Sequence, residues 1–147
     1  MLKGIDPRMP PALLDCLMRM GHGDEIVIAD ANFPSESTAS STHWGEAIQM
    51  TGFDAADVAD LICGLMPLDG FSDAAAYRMQ IDGAADEMGD VHRDVFAVLE
   101  AAKPEGAALS SIERQGFYAR AAKAFAVVRT TEAQPFGCFI LRKGVIF

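Results

Sequence analysis

Glu25-Ile26-Val27-Ile28-Ala29 is a five-residue run, apolar at every position after the first. It is too short for an ordinary helix and shows no in-out alternation, so it reads as a strand buried on both faces. Such a strand has to be covered from each side, and the rest of the chain must supply helices to do it. Leu13, Leu14, Leu17 and Met18 mark an apolar helix face behind Pro10 and Pro11, and Gly21 is a natural stop. Behind Asp54 as N-cap, Val58, Leu61, Ile62, Leu65 and Met66 recur at i, i+3, i+4, i+7 and i+8, and Pro67 ends that helix. The spacing of Val91, Val95, Val98 and Leu99 predicts a helix over 90–102. Ser110 and Glu113 stand at capping-box spacing and predict another, running to about Ala124. Further strands are expected over 46–50, 76–82, 125–130 and 138–141. The stretch from Asp30 to Thr42 is rich in Ser and Thr, has no periodicity and reads as a long loop. Strands alternating with helices predict an α/β layered domain with a largely parallel sheet.

The 147 residues suffice for one buried core, and no repeat or linker divides them, so 1–147 is read as a single domain. Twelve Lys and Arg against 21 Asp and Glu leave a formal charge of −9, and the basic residues are scattered apart from Arg142-Lys143. Phosphate backbones and anionic membrane surfaces would repel such a chain, which argues against nucleic acid and membranes as partners. Met1 to Pro7 lacks the apolar core of a secretory signal, and no apolar stretch reaches the roughly 18–20 residues of a membrane span. Cys16, Cys63 and Cys138 are odd in number and far apart, as expected of free thiols in a reducing compartment. A cytoplasmic location is expected.

Four segments could carry chemistry. In Gly21-His22-Gly23-Asp24-Glu25, His22 stands between two glycines that let the backbone turn sharply and leave the imidazole unshielded. Imidazole both gives and takes a proton near neutrality, although the same pattern fits a plain helix C-cap. Asp30 follows the apolar strand, at the end where open α/β sheets gather ligands; an Asx turn would use the same carboxylate, and Asn32 fits either purpose. Arg114 and Tyr118, four apart, share one helix face and point together, towards a cleft or simply into a surface stack. Phe136-Gly137-Cys138 enters the last strand, where the glycine lets a ligand approach backbone N–H groups, or merely makes a turn. His22, His43 and His92 lack zinc-site spacing, and nucleotide-binding glycine loops and the GxSxG nucleophile motif are missing. Cys16 and Cys63 fall in predicted helices and read as small core residues.

Met20-Gly21-His22-Gly23-Asp24-Glu25-Ile26, Asp30-Ala31-Asn32-Phe33-Pro34, Phe117-Tyr118, Lys123-Ala124-Phe125-Ala126 and Leu141-Arg142-Lys143-Gly144-Val145 together resemble the RbsD/FucU family of sugar mutarotases, the fucose branch above all. The resemblance implies a three-layer α/β/α sandwich that interconverts the anomers of a free aldose, L-fucose or a related deoxysugar, with no cofactor and no metal. It also implies self-association into a ring-shaped homo-oligomer, decamers being common in the family. By the same resemblance His22 is the proton donor, Asp30 and Arg114 bind the sugar, and Phe136, Gly137 and Cys138 stand where the family usually has Tyr-Gly-Asn. Phe136 has no phenolic hydroxyl and Cys138 only a weak S–H, so either the sugar differs from L-fucose or another residue replaces the contact. Tyr118, on the Arg114 face, is the candidate. Two alternatives stay open: a pyranase converting pyranose to furanose forms of a pentose such as ribose, and a non-catalytic monosaccharide-binding protein.

His22 and Asp30 flank one strand, and eight extended residues reach up to roughly 26 Å. Unless the chain folds back at Gly21 or Gly23, one small sugar cannot touch both. An active site completed by a neighbouring subunit is therefore expected.

Overall fold

The computed structural model describes residues 1–147 and sets the Glu25–Ala29 run inside a six-stranded sheet. In chain order the elements are α1 (Pro11–Arg19), β1 (Glu25–Ala29), α2 (Ser35–Ala39), β2 (Ala47–Met50), α3 (Ala55–Cys63), β3 (Ala76–Met79), α4 (Asp90–Ala102), β4 (Leu109–Ile112), α5 (Arg114–Ala121), β5 (Ala126–Thr130) and β6 (Phe139–Arg142). The strand order is β2-β5-β1-β6-β3-β4. Strand β5 pairs parallel with β1 and β2, and β3 pairs parallel with β4. Only β6 is reversed, antiparallel to both β1 and β3. The sheet is largely parallel, as the alternation predicts.

Ile26, Val27, Ile28 and Ala29 are wholly buried because helices cover both faces. On one face α1, α3 and α4 pack Leu13, Val58, Ile62, Val95 and Leu99 against Ile26, Ile28, Val128 and Phe139. On the other, α2 and α5 bring Ala39, Phe117 and Ala121 onto Val27, Val127 and Ile140. Three layers result, helix–sheet–helix. No helix is long and apolar enough to cross a membrane.

Three expectations are corrected. The presumed loop from Asp30 to Thr42 contains α2, a single short helix with Pro34 at its N-cap and too few residues to show a periodic stripe. Leu109–Ile112 is strand β4 rather than the start of a helix, so Ser110 caps nothing. The N-cap of α5 is Glu113, whose carboxylate accepts from the N–H groups of Gln115 (2.9 Å) and Gly116. The third strand stops at Met79 instead of Asp82, and the chain then turns through Ile81 and Ala84.

Candidate active site

The reversal of β6 decides what meets what. Cavities in α/β sheets form where parallel strands end, and Asp30 follows β1 there, Met79 ends β3, and Arg114 follows β4. Because β6 runs the other way, its beginning lies at this same edge, with Ile28 opposite Phe139. Asp30, Asn32, Phe33, Met79, Arg114, Tyr118, Pro135, Phe136 and Cys138 line one cavity of about 160 Å³. That is smaller than the roughly 300–1,000 Å³ of drug-sized pockets. It suits a ligand no larger than a single sugar ring.

Asp30 is buried and heavily engaged. Its Oδ1 accepts from the N–H groups of Asn32 and Phe33, both at 2.9 Å, and its Oδ2 from Gly137 N–H at 3.1 Å. The Asx turn that the sequence allowed is thus present, and the same carboxylate also lines the cavity. A carboxylate offers about four lone-pair sites, so capacity for one hydroxyl donor remains. Arg114 lies at the rim, its guanidinium 2.9 Å from Asp82, and hydrogen bonds to Asp82 and Tyr118 raise its pKa further above the ordinary range. Tyr118 leans on Phe33 with ring centroids 5.4 Å apart. Asp30 N–H meets Cys138 Sγ at 3.4 Å, and burial beside Asp30 pushes the Cys138 thiol well up, so it is no thiolate at neutral pH.

Phe136 has φ +61°, the one non-glycine residue in the left-handed region, a conformation costing on the order of 1–3 kcal/mol unless its surroundings enforce it. The next position leaves no room for a side chain unless the loop shifts: a Cβ on Gly137 would stand 2.9 Å from Glu132 Cγ and 3.0 Å from the Gln134 carbonyl. Glu132 ties this loop down, accepting from Gln134 N–H at 2.8 Å while its carbonyl accepts from Ala31 N–H.

His22 is not among the residues lining that cavity. It precedes β1, at the opposite edge of the sheet, where β6 ends at Arg142. His22 Nε2 lies 3.1 Å from Asp69 Oδ1, and its ring meets Phe71 edge-on at 5.8 Å. The imidazole is half exposed, at 48%, while the Asp69 carboxylate is buried at 2%. Burial pushes the Asp69 carboxyl up, but hydrogen bonds from Ser72, His22 and Phe71 N–H together outweigh it and bring it down to about 2. An ionised carboxylate only accepts, so His22 donates through Nε2 and Nδ1 is the nitrogen left for a ligand. Glu25, Arg120 and Arg142 complete a charged cluster there, and the Arg120 guanidinium lies 3.9 Å from the centre of the Tyr77 ring. No group of three or more His, Cys, Asp or Glu side chains could hold a metal ion.

A model of the RbsD / FucU transport protein family matches residues 3–146. The chain belongs to the RbsD/FucU family. Within it, the chain is 39% identical over 148 residues to a fucose mutarotase of Homo sapiens, covering 99% of this chain and 94% of that one. A fucose mutarotase of Mus musculus is 40% identical over 149 residues, covering 99% and 95%. Among solved structures, the fucose mutarotase of Streptococcus pneumoniae in complex with L-fucose superposes with a TM-score of 0.88 at 36% identity, covering 99% of this chain and all of that one.

This RbsD/FucU chain brings six of its seven sequence-picked residues to one place, Asp30, Arg114, Tyr118, Phe136 and Cys138 lining the cavity and Gly137 donating to Asp30, and leaves His22 at the other edge. Sequence reasoning missed Phe33, Met79 and Pro135 on the cavity wall, Asp82 behind Arg114, and Asp69 behind His22. Met79 carries no local signal, being placed by strand pairing; Asp69 sits in a local turn, accepting from Phe71 and Ser72 N–H, but only the fold brings it to His22.

Proposed function

We propose that the protein is a cofactor-independent aldose mutarotase acting on L-fucose or a related deoxysugar. The observation that carries this reading is full-length likeness to fucose mutarotases, joined to a cavity of single-sugar size lined by Asp30, Arg114 and Tyr118.

Mutarotation breaks the bond between C1 and the ring oxygen. A proton arrives at the ring oxygen, another leaves the anomeric hydroxyl, and C1 becomes an aldehyde carbon. After rotation about C1–C2, ring closure runs both transfers in reverse. Electrons and protons balance within the sugar and one proton-exchanging group. Asp30 and Arg114 hold hydroxyls, Tyr118 adds its phenol near Arg114, and Phe33, Met79 and Phe136 offer an apolar wall suited to a deoxysugar methyl. His22, steadied at Nε2 by Asp69, is the proton donor: as the imidazolium it delivers the Nδ1 proton to the ring oxygen, and Nδ1 then takes up the proton that leaves the anomeric hydroxyl. Its place at the far edge of the sheet supports a shared site, in which the cavity of one protomer is faced by His22 of a partner subunit in a ring-shaped homo-oligomer.

The test is saturation-transfer NMR on a panel of free aldoses. Acceleration of L-fucose anomer exchange is expected, falling by about 10²–10⁴-fold in His22→Ala, the usual worth of general acid–base catalysis. Unchanged exchange in His22→Ala sinks the role of that residue. A clear preference for pyranose–furanose exchange of ribose would favour a pyranase, and binding without acceleration of any sugar a binding protein.

A further inference from the structure

His92 takes part in none of the steps above, yet it is 1% exposed and fully hydrogen-bonded. It lies in the first turn of α4, where its Nδ1 accepts from Gly89 N–H at 3.1 Å. A backbone N–H can only donate, so Nδ1 carries the lone pair and the ring proton is on Nε2. That nitrogen is 2.9 Å from the carbonyl oxygen of Phe136, 44 positions along the chain. Burial holds the His92 pKa below the ordinary histidine range; the bond to the Phe136 carbonyl works against this, the Arg78 and Arg93 cations with it, and the ring is neutral.

The bond lands on the carbonyl of Phe136, the residue held in the left-handed region. Immediately beyond it, Gly137 N–H donates to Asp30 Oδ2 and Cys138 Sγ accepts from Asp30 N–H. Val91 N–H donates to Gln134 Oε1 at 3.1 Å, so the first turn of α4 grips the same loop twice. We propose that His92 is a positioning residue of the sugar site: by holding the Phe136 carbonyl it sets the turn that presents the Phe136 ring to the cavity and Gly137 N–H to Asp30. The role rests on the mutarotase reading above. His92 touches no sugar; it acts through the loop.

Glutamine can put an amide nitrogen where Nε2 now lies, asparagine reaches only about as far as Nδ1, and leucine fills the space without a donor. His92→Leu, His92→Gln and His92→Asn are compared in the full chain by anomer exchange across aldose concentrations and by the amide NMR signal of Gly137. For His92→Leu, with a cooperative melt retained, the expected result is a KM raised on the order of 10- to 100-fold with a smaller change in kcat, the scale of loss when a binding group is misplaced by about an ångström. The Gly137 amide signal moves with it, and His92→Gln recovers most of both. A folded His92→Leu with KM within about twofold of wild type and Gly137 unmoved overturns the proposal. If leucine prevents folding, the polar pair decides: asparagine impaired and glutamine not supports it, and equal behaviour overturns it. Should the wild type accelerate no aldose, the mutarotase reading falls, while the Gly137 signal still reports whether His92 sets the turn.

Discussion

Asp69 holds His22 at Nε2, and that single contact chooses which nitrogen faces a ligand. Asp69→Asn keeps the shape but removes the charge that favours this tautomer and steadies an imidazolium. Its kcat is expected to fall by roughly 10-fold or more with KM little changed, since wrong-tautomer variants of buried carboxylate–histidine pairs lose rate rather than binding. Stability carries a second signature. The Asp69 carboxyl lies near 2 in the fold, below the roughly 3.9 of an unfolded aspartate, so its contribution is complete above about pH 4 and is lost as pH falls towards 2. The wild-type advantage over Asp69→Asn in urea unfolding is expected to be level near neutrality and to shrink across that window. His92 behaves in parallel at higher pH. Its folded pKa lies below the unfolded value of about 6.5, so its contribution is present above that pH and declines as the solution is made more acid. Wild type is expected to lose stability faster than His92→Gln on going from pH 7 to pH 5.

At the scale of elements, helix α5 both seals one face of the sheet and carries Arg114 and Tyr118, which line the cavity. Phe117, wholly buried between them, anchors it. Phe117→Ala is expected to cost about 3–5 kcal/mol in urea unfolding and to weaken sugar binding along with it. Gly137→Ala strikes the β5–β6 loop instead. The added methyl meets Glu132 and Gln134 within 3.0 Å, and overpacking of this kind costs about 1–3 kcal/mol; a melting temperature unchanged by the substitution would contradict it. The elements differ in how plainly their residues announce them. The apolar stripe from Val58 to Ile62 and the run from Glu25 to Ala29 state their type because burial repeats along a single segment; the stripe's continuation to Leu65 and Met66 lies beyond the end of α3 at Cys63. Leu109-Ser110-Ser111-Ile112 does not: it is a half-exposed edge strand with two apolar residues, and Ser110 imitates a helix cap. Strand identity there comes from pairing with β3, which no local pattern records.

For the whole molecule the decisive fact is that His22 and Asp30 lie at opposite edges of one sheet, with β1 between them. A site shared across a symmetric interface predicts complementation. His22→Ala and Asp30→Asn, each inactive alone, are expected to regain up to about one quarter of wild-type exchange when co-expressed, because a quarter of randomly mixed interfaces pair two intact halves. No recovery from a mixed oligomer, or full activity in a monomer on a sizing column, would reject the shared site. The layered α/β architecture, the strand buried on both faces and the residue types fit for sugar and proton chemistry are legible along the chain, because hydrophobic period and motif chemistry are local properties. That β6 runs backwards between β1 and β3 is a property of the assembled fold alone. That one reversal brings Phe136, Gly137 and Cys138 to Asp30 while sending Arg142 to the His22 edge, and the fold then sets Asp69 beneath His22 and His92 beneath Phe136. Strand direction and such supporting contacts are set by pairing between segments that lie far apart in the chain, Glu25 opposite Arg142 among them, and their energy belongs to the assembled core rather than to any stretch of chain.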